Sequence, residues 1–149
     1  FLISMETLTI TDYYMITHAD QWDTARWYNF QPSEFVCSCC NALKISPIVL
    51  DFVQAYRNHS SKGVSITSGY RCPKHNSSVS STGEDGPHTT GFSVDIGTNT
   101  QSQYQLIRFG LHYSPRAMGI GVAKTFTHID FLTIDQGEKY VIRPNVWKY

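Results

Sequence analysis

Apolar and polar positions along this chain fall into a few readable patterns. From Ser46 onward Val49, Phe52, Val53 and Tyr56 recur at i, i+3, i+4 and i+7, the spacing of one buried helical stripe. Ser46 offers an N-cap hydroxyl and Pro47 suits the first helical position, so a helix is predicted over about residues 47–58. After Gly63, Val64–Ser68 alternates as a half-buried strand and hands Tyr70 and Arg71 to a loop. Phe92–Ile96 reads as a second short strand. Thr98 or Thr100 then caps a predicted helix bearing Tyr104, Ile107 and Leu111 on one face, with Pro115 ending it. Met118–Val122 and Thr125–Ile134 read as paired strands joined at Ala123 and Lys124. This order of helices and hairpins predicts an α+β domain, a small antiparallel sheet with helices packed on one face.

The flanking stretches carry weaker patterns. Thr7–Met15 alternates at first and then loses any period, and a polar stretch containing tryptophans follows to Phe30, so residues 1–30 are read as an arm, a short helix or a linker. Residues 31–149 are expected to form the domain. Ser77–Gly86 is rich in turn formers and nearly devoid of apolar side chains. It is therefore a predicted surface loop, and because it runs straight into His88 it is the expected rim of a cleft.

Composition narrows the functional classes. A chain of 149 residues suits one domain with a real core, and 12 Lys plus Arg against 12 Asp plus Glu gives no general pull toward nucleic acid or an anionic membrane. Neither partner is expected. No apolar run reaches the roughly 18 residues of a membrane span, and no secretory signal is read.

Candidate chemistry centres on Gly86-Pro-His-Thr-Thr-Gly-Phe-Ser-Val-Asp95 and on Phe126-Thr-His-Ile-Asp130. One helix would separate His88 from Asp95 by about 10 Å along its axis, too far for two ligands of one ion. One straight strand would point them to opposite faces, because their separation is odd. The chain must therefore bend between them, and Gly91 is the residue that most easily allows it. His18 and His59 lie in no such setting and are read as ordinary exposed or satisfied side chains.

These segments resemble the signature of the M15 family of zinc D,D-carboxypeptidases and endopeptidases, S-x-H-x-x-G-x-A-x-D, with the phage-encoded lysis enzymes as the nearest likeness. Ser68-Gly-Tyr-Arg-Cys-Pro-Lys-His-Asn76, Gly119-Ile-Gly121 and Arg143-Pro-Asn-Val-Trp147 agree with it. Gly86 stands where serine is usual, and Ser93 where alanine is usual. The resemblance implies a hedgehog/D,D-peptidase-like fold, one zinc ion held by His88, Asp95 and His128, and hydrolysis of an amide in peptidoglycan stem peptides. It also implies action on the cell wall, from the host cytoplasm or as part of a virion.

A metallopeptidase needs a base for the attacking water. Much of the family places an acid three residues before the last ligand, where this chain has Thr125. Asp130 is the expected base, since on a strand its side chain shares a face with His128. Its alternative is to orient a ligand imidazole, and Glu84 and Asp85 are the reserves. Arg71 matches the family arginine that binds a substrate carboxylate or steadies the oxyanion, with His75 and Asn76 expected beside it. Asn76 has the alternative of stabilising its turn. Trp147 is expected as a wall of the core or cleft.

Cys37, Cys39, Cys40 and Cys72 admit three readings: buried thiols beside the sheet, a disulfide from the cluster to Cys72, or a second, structural zinc. Besides a peptidase, the sequence leaves open a non-catalytic binding module resembling the hedgehog domain, and a structural virion component.

Overall fold

A computed structural model describes residues 14–113, 118–132 and 143–149. Three helices are seen among them: α1 (Pro47–Ser60), α2 (Pro73–Val79) and α3 (Thr100–His112). Five strands, β1 (Ile66–Ser68), β2 (Ser93–Gly97), β3 (Gly119–Val122), β4 (Phe126–Asp130) and β5 (Asn145–Lys148), form one sheet in the order β1-β2-β4-β3-β5. The α+β class holds. The sheet is mixed rather than purely antiparallel, because β5 runs parallel to β3 while every other pairing is antiparallel.

Strand alternation gives this sheet two faces with different tasks. Val94 and Ile96 of β2, Ile129 of β4 and Ile120 of β3 enter the core. They meet Val49, Leu50, Phe52 and Val53 of α1 and Leu106 of α3. The ring of Phe52 lies 5.6 Å from Phe109, 5.0 Å from Tyr113 and 5.5 Å from Phe131. On the opposite face Asp95, His128, Gly121 and Trp147 are register partners across β2, β4, β3 and β5. One row across the sheet thus joins the predicted ligands to the predicted wall.

The α1 helix starts as expected, with the Ser46 hydroxyl accepting from the Ile48 N–H at 3.3 Å and Pro47 following. It ends at Ser61, which takes a left-handed conformation, φ 55°. The α3 helix is present, but Asn99, not a threonine, caps it. Its buried face differs in part: Ile107 packs against the core as expected, but Tyr104 and Leu111 are 66% and 65% exposed, and Leu106, Phe109 and Gly110, with Tyr113 at the C-cap, complete the inward side. Aromatics at 109 and 113 outweigh the isolated Tyr104 because both can reach Phe52. The expected stop at Pro115 and the end of the last hairpin at Ile134 lie outside the described residues.

Part of the stretch read as an arm, a short helix or a linker enters the core, and it holds one 3-10 turn, Ala19–Gln21. Ile16 bridges to Ile45, and Ile16, Trp22, Trp27 and Phe30 are buried with the side chains of α1. Arg26 and the Trp27 indole both donate to Asp51 of α1, at 2.6–2.9 Å. Among the described residues no helix is long and apolar enough to cross a membrane.

Candidate metal centre

His88 reaches the site from a single 3-10 turn, Pro87–Thr89. The chain then bends at Gly91, φ 81°, before β2 delivers Asp95. This is the bend that the spacing required. A Cβ on Gly91 would lie 2.9 Å from the Lys44 carbonyl, so both backbone angle and close approach exclude a larger residue. His128 comes from β4, directly opposite Asp95.

Three ligand atoms converge. His88 Nε2 lies 3.0 Å from Asp95 Oδ1, His128 Nδ1 lies 2.9 Å from the same oxygen, and the two nitrogens are 3.2 Å apart. A tetrahedral zinc with bonds of about 2.0 Å needs ligand separations of roughly 3.3 Å, so the triangle fits. The outer nitrogens complete the fit. His88 Nδ1–H donates to the Gly69 carbonyl at 2.7 Å, and His128 Nε2–H donates to Asp130 Oδ2 at 2.9 Å. Each imidazole therefore keeps a proton on its far side and turns its other nitrogen toward the shared point, the arrangement that metal-binding histidines need.

Asp130 meets the outer nitrogen of His128. It is fully buried, and Arg143 grips both of its oxygens, Nε to Oδ1 at 2.7 Å and Nη2 to Oδ2 at 2.6 Å. With His128 on Oδ2 as well, the carboxylate sits behind the ligand imidazole, on the side away from the metal point. Burial opposes its charge, but Arg143 and His128 hold its carboxyl down at about 2. It meets the His128 nitrogen opposite the converging one, a position from which a carboxylate orients an imidazole and raises its basicity.

Charge in the cluster is arranged around His128. Burial works against the imidazolium, yet Asp130 and Asp95 on either side raise it to about 9. Burial lowers His88, and Asp95 is held well below the usual carboxylate range by the two histidines despite its own burial. In the metal-free protein His128 holds its proton more tightly folded than unfolded. Its stabilising contribution is therefore complete below pH 6.5 and lost as the pH climbs through about 9. A metal must displace that proton from Nδ1. Apparent metal affinity is expected to rise about tenfold per pH unit from neutrality toward pH 9, read by competition with a chromophoric chelator; a flat profile would contradict this proton release.

Arg71 lies beside the ligands. Its Nη2 donates to Asp95 Oδ2 at 2.8 Å and its Nε to the Ser68 hydroxyl at 2.8 Å. The guanidinium thus fixes the second oxygen of a ligand carboxylate, while the residue also lines a cleft of 510 Å³ with Ser68, Val79, Ser81, Asp95 and Tyr149. Val79, Ser80 and Ser81 supply part of the rim expected from the loop before His88. A larger groove of 830 Å³ between α1 and α3, lined by His59, Tyr104 and Phe109 among others, holds none of the converging ligands.

Neither His75 nor Asn76 lines the 510 Å³ cleft beside Arg71. The unforeseen helix α2 turns His75 toward the Ser38 hydroxyl, 3.2 Å away, and buries Asn76, whose amide donates to Thr82 Oγ1 and the Gly83 carbonyl. Asn76 instead pins the chain leading to Gly86. A Cβ at Gly86 would collide with Thr82 and Asn76, which explains glycine where a signature serine would stand. Ser93 has the opposite problem: its buried hydroxyl finds no partner among the described residues. Ser93→Ala is expected to raise stability by about 1 kcal/mol, measured by urea unfolding; a loss of that size would reveal a partner for the hydroxyl.

Trp147 is a wall of the site, its ring 5.4 Å from His128 and 5.1 Å from the Arg143 guanidinium carbon. It lies over Gly121, where a Cβ would come within 2.8 Å of the Trp147 and Tyr149 rings. A Cβ at Gly119 would strike Arg143 and Asp130. The two glycines of β3 thus leave room for the residues that back His128. The structural roles of Arg143 and Tyr149 were not assigned from the sequence, although Arg143 stood in a matching motif.

An α+β domain that brings His88, Asp95 and His128 together, with Asp95 also lining the adjoining cleft, carries a candidate metal centre. The family profile described as Peptidase M15 matches residues 28–130, more than half of the chain, and the chain belongs to that family of metallopeptidases. No curated protein and no solved structure matches it.

Proposed function

We propose that this protein is a zinc-dependent peptidase hydrolysing an amide bond in peptidoglycan stem peptides or cross-links, as a D,D-carboxypeptidase or endopeptidase. The observation that carries the reading is the convergence of His88 Nε2, Asp95 Oδ1 and His128 Nδ1 with both outer imidazole protons already committed. Two imidazoles and one carboxylate are a recurrent zinc set that leaves a fourth position for water or substrate. Zinc bound there supplies an activated water and polarises the scissile carbonyl.

The rest falls to the chain's own side chains. Arg71 spends Nε and Nη2 on Ser68 and Asp95, leaving Nη1 to meet a substrate carboxylate or the oxyanion from the cleft wall. Trp147 shields the His128 ring on one side. With Asp130 committed to Arg143 and His128, Glu84 and Asp85, exposed on the turn Gly83–Asp85 just before His88, are the reserve candidates for the base. On this reading the protein acts at the cell wall, in phage-driven lysis or in remodelling.

A second reading, a zinc-containing module that binds cell wall without cutting it, is favoured by one observation: Thr125 replaces the usual acid and Asp130 is sealed behind His128. Mass spectrometry of purified sacculi incubated with zinc-loaded protein separates the two. The peptidase reading expects new stem-peptide termini that chelator suppresses. Unchanged muropeptides in the presence of bound zinc would leave the binding module.

A further inference from the structure

The four cysteines come together at a point distinct from the His-Asp-His cluster. Cys37, Cys39 and Cys40 lie on one loop and Cys72 caps α2, yet their four sulfur atoms all lie within 4.8 Å of one another. Cys37 and Cys39 sulfurs are 3.8 Å apart, and those of Cys39 and Cys72 are 3.4 Å apart. Tetrahedral zinc with Zn–S bonds of about 2.3 Å spaces its sulfurs by roughly 3.8 Å. All four are free thiols, so the arrangement is not produced by disulfide bonds.

Backbone geometry prepares these sulfurs for negative charge. The Cys72 N–H donates to Cys37 Sγ at 3.3 Å, and the His75 N–H donates to Cys72 Sγ at 3.4 Å. The loop closes on itself through Cys37 N–H to the Ala42 carbonyl and Asn41 N–H to the Cys37 carbonyl, both 2.8 Å. Asn41 supplies the left-handed turn, φ 57°.

We propose that Cys37, Cys39, Cys40 and Cys72 bind a second, structural zinc ion. The four thiols release their protons as the ion binds, and four thiolates close its coordination shell, leaving no position for a substrate. Soft sulfur donors in a tetrahedron select zinc over the hard cations. The site ties the Cys37–Cys40 loop to the residue directly after Arg71, whose N–H is held in turn by the His88 carbonyl at 3.1 Å. It is therefore a staple behind the cleft arginine. This assignment does not rest on the peptidase reading.

The test is the zinc content of the full chain, produced with zinc under reducing conditions and measured by plasma mass spectrometry. Two zinc ions per chain are expected. A His88→Ala/His128→Ala variant should keep one, and its cobalt-substituted form should show an intense thiolate-to-cobalt charge-transfer band in the near ultraviolet. Cys39→Ala/Cys40→Ala should also hold one, without that band. The proposal is overturned if the wild-type chain binds a single zinc while all four thiols react with a thiol reagent. It is equally overturned if cobalt loading of the wild-type chain gives no thiolate band, a result that needs no variant to fold.

Discussion

His88→Ala is expected to abolish metal-dependent amide hydrolysis, with a loss of at least about 10³-fold, equivalent to several kcal/mol of transition-state stabilisation. Three converging donors become two, and the Gly69 carbonyl loses the N–H that fixed the imidazole's orientation. His88 lies on a short turn outside the apolar core, so the fold should survive. Thermal unfolding and zinc content measured on the same sample separate loss of the ion from loss of the fold. Activity retained in a folded variant without zinc at this site would refute the ligand assignment.

The second large effect is expected at Asp130. Asp130→Ala leaves Arg143 and His128, both nearly buried, without their shared partner, and should cost about 3–5 kcal/mol in urea unfolding of the metal-free protein. Asp130→Asn keeps the volume and one acceptor oxygen but removes the charge that holds Arg143 and tunes His128. Zinc affinity should fall by about 10–100-fold, the range seen when a metal ligand loses its hydrogen-bonded support. A general base would behave differently. If Asp130→Asn binds zinc as tightly as the parent chain but cannot turn over at saturating zinc, the carboxylate acts on water and the supporting role assigned to it is wrong.

The convergence of His88, Asp95 and His128 was legible because its constraints are local. Seven residues from His88 to Asp95 admit no regular element, and Gly91 marks the bend; His128 and Asp130 share a face by strand alternation alone. Which nitrogen of His128 meets the metal point was not legible. That depends on Arg143 arriving from the far end of the chain to hold Asp130 behind the ring, a contact between distant segments.

The same distinction explains the misread elements. The α2 helix buries only Asn76, so it carries no apolar period, and its cap is a cysteine rather than a usual hydroxyl or carboxylate. His75 and Asn76 were expected beside Arg71, with turn stabilisation as the alternative for Asn76; the helix turns His75 to Ser38 and Asn76 to Thr82 and Gly83. For α3, two overlapping stripes were available, and only the position of Phe52 decides between them. The parallel pairing of β5 with β3 shows in the sequence only as paired glycines at 119 and 121 and a tryptophan at 147, whose complementarity becomes visible once the strands are adjacent. Trp22 and Trp27 looked like features of an arm because aromatics without a period signal no regular element; they pack edge to face at 5.3 Å within the core.

The most direct measurement is an anomalous difference map at the zinc edge from crystals of the zinc-loaded chain. A peak bonded to His88 Nε2, Asp95 Oδ1 and His128 Nδ1, with a fourth position facing the Arg71 cleft, is the predicted result. Absence of a peak between those three atoms, or an ion bonded to His128 through Nε2 in place of Asp130, would contradict it.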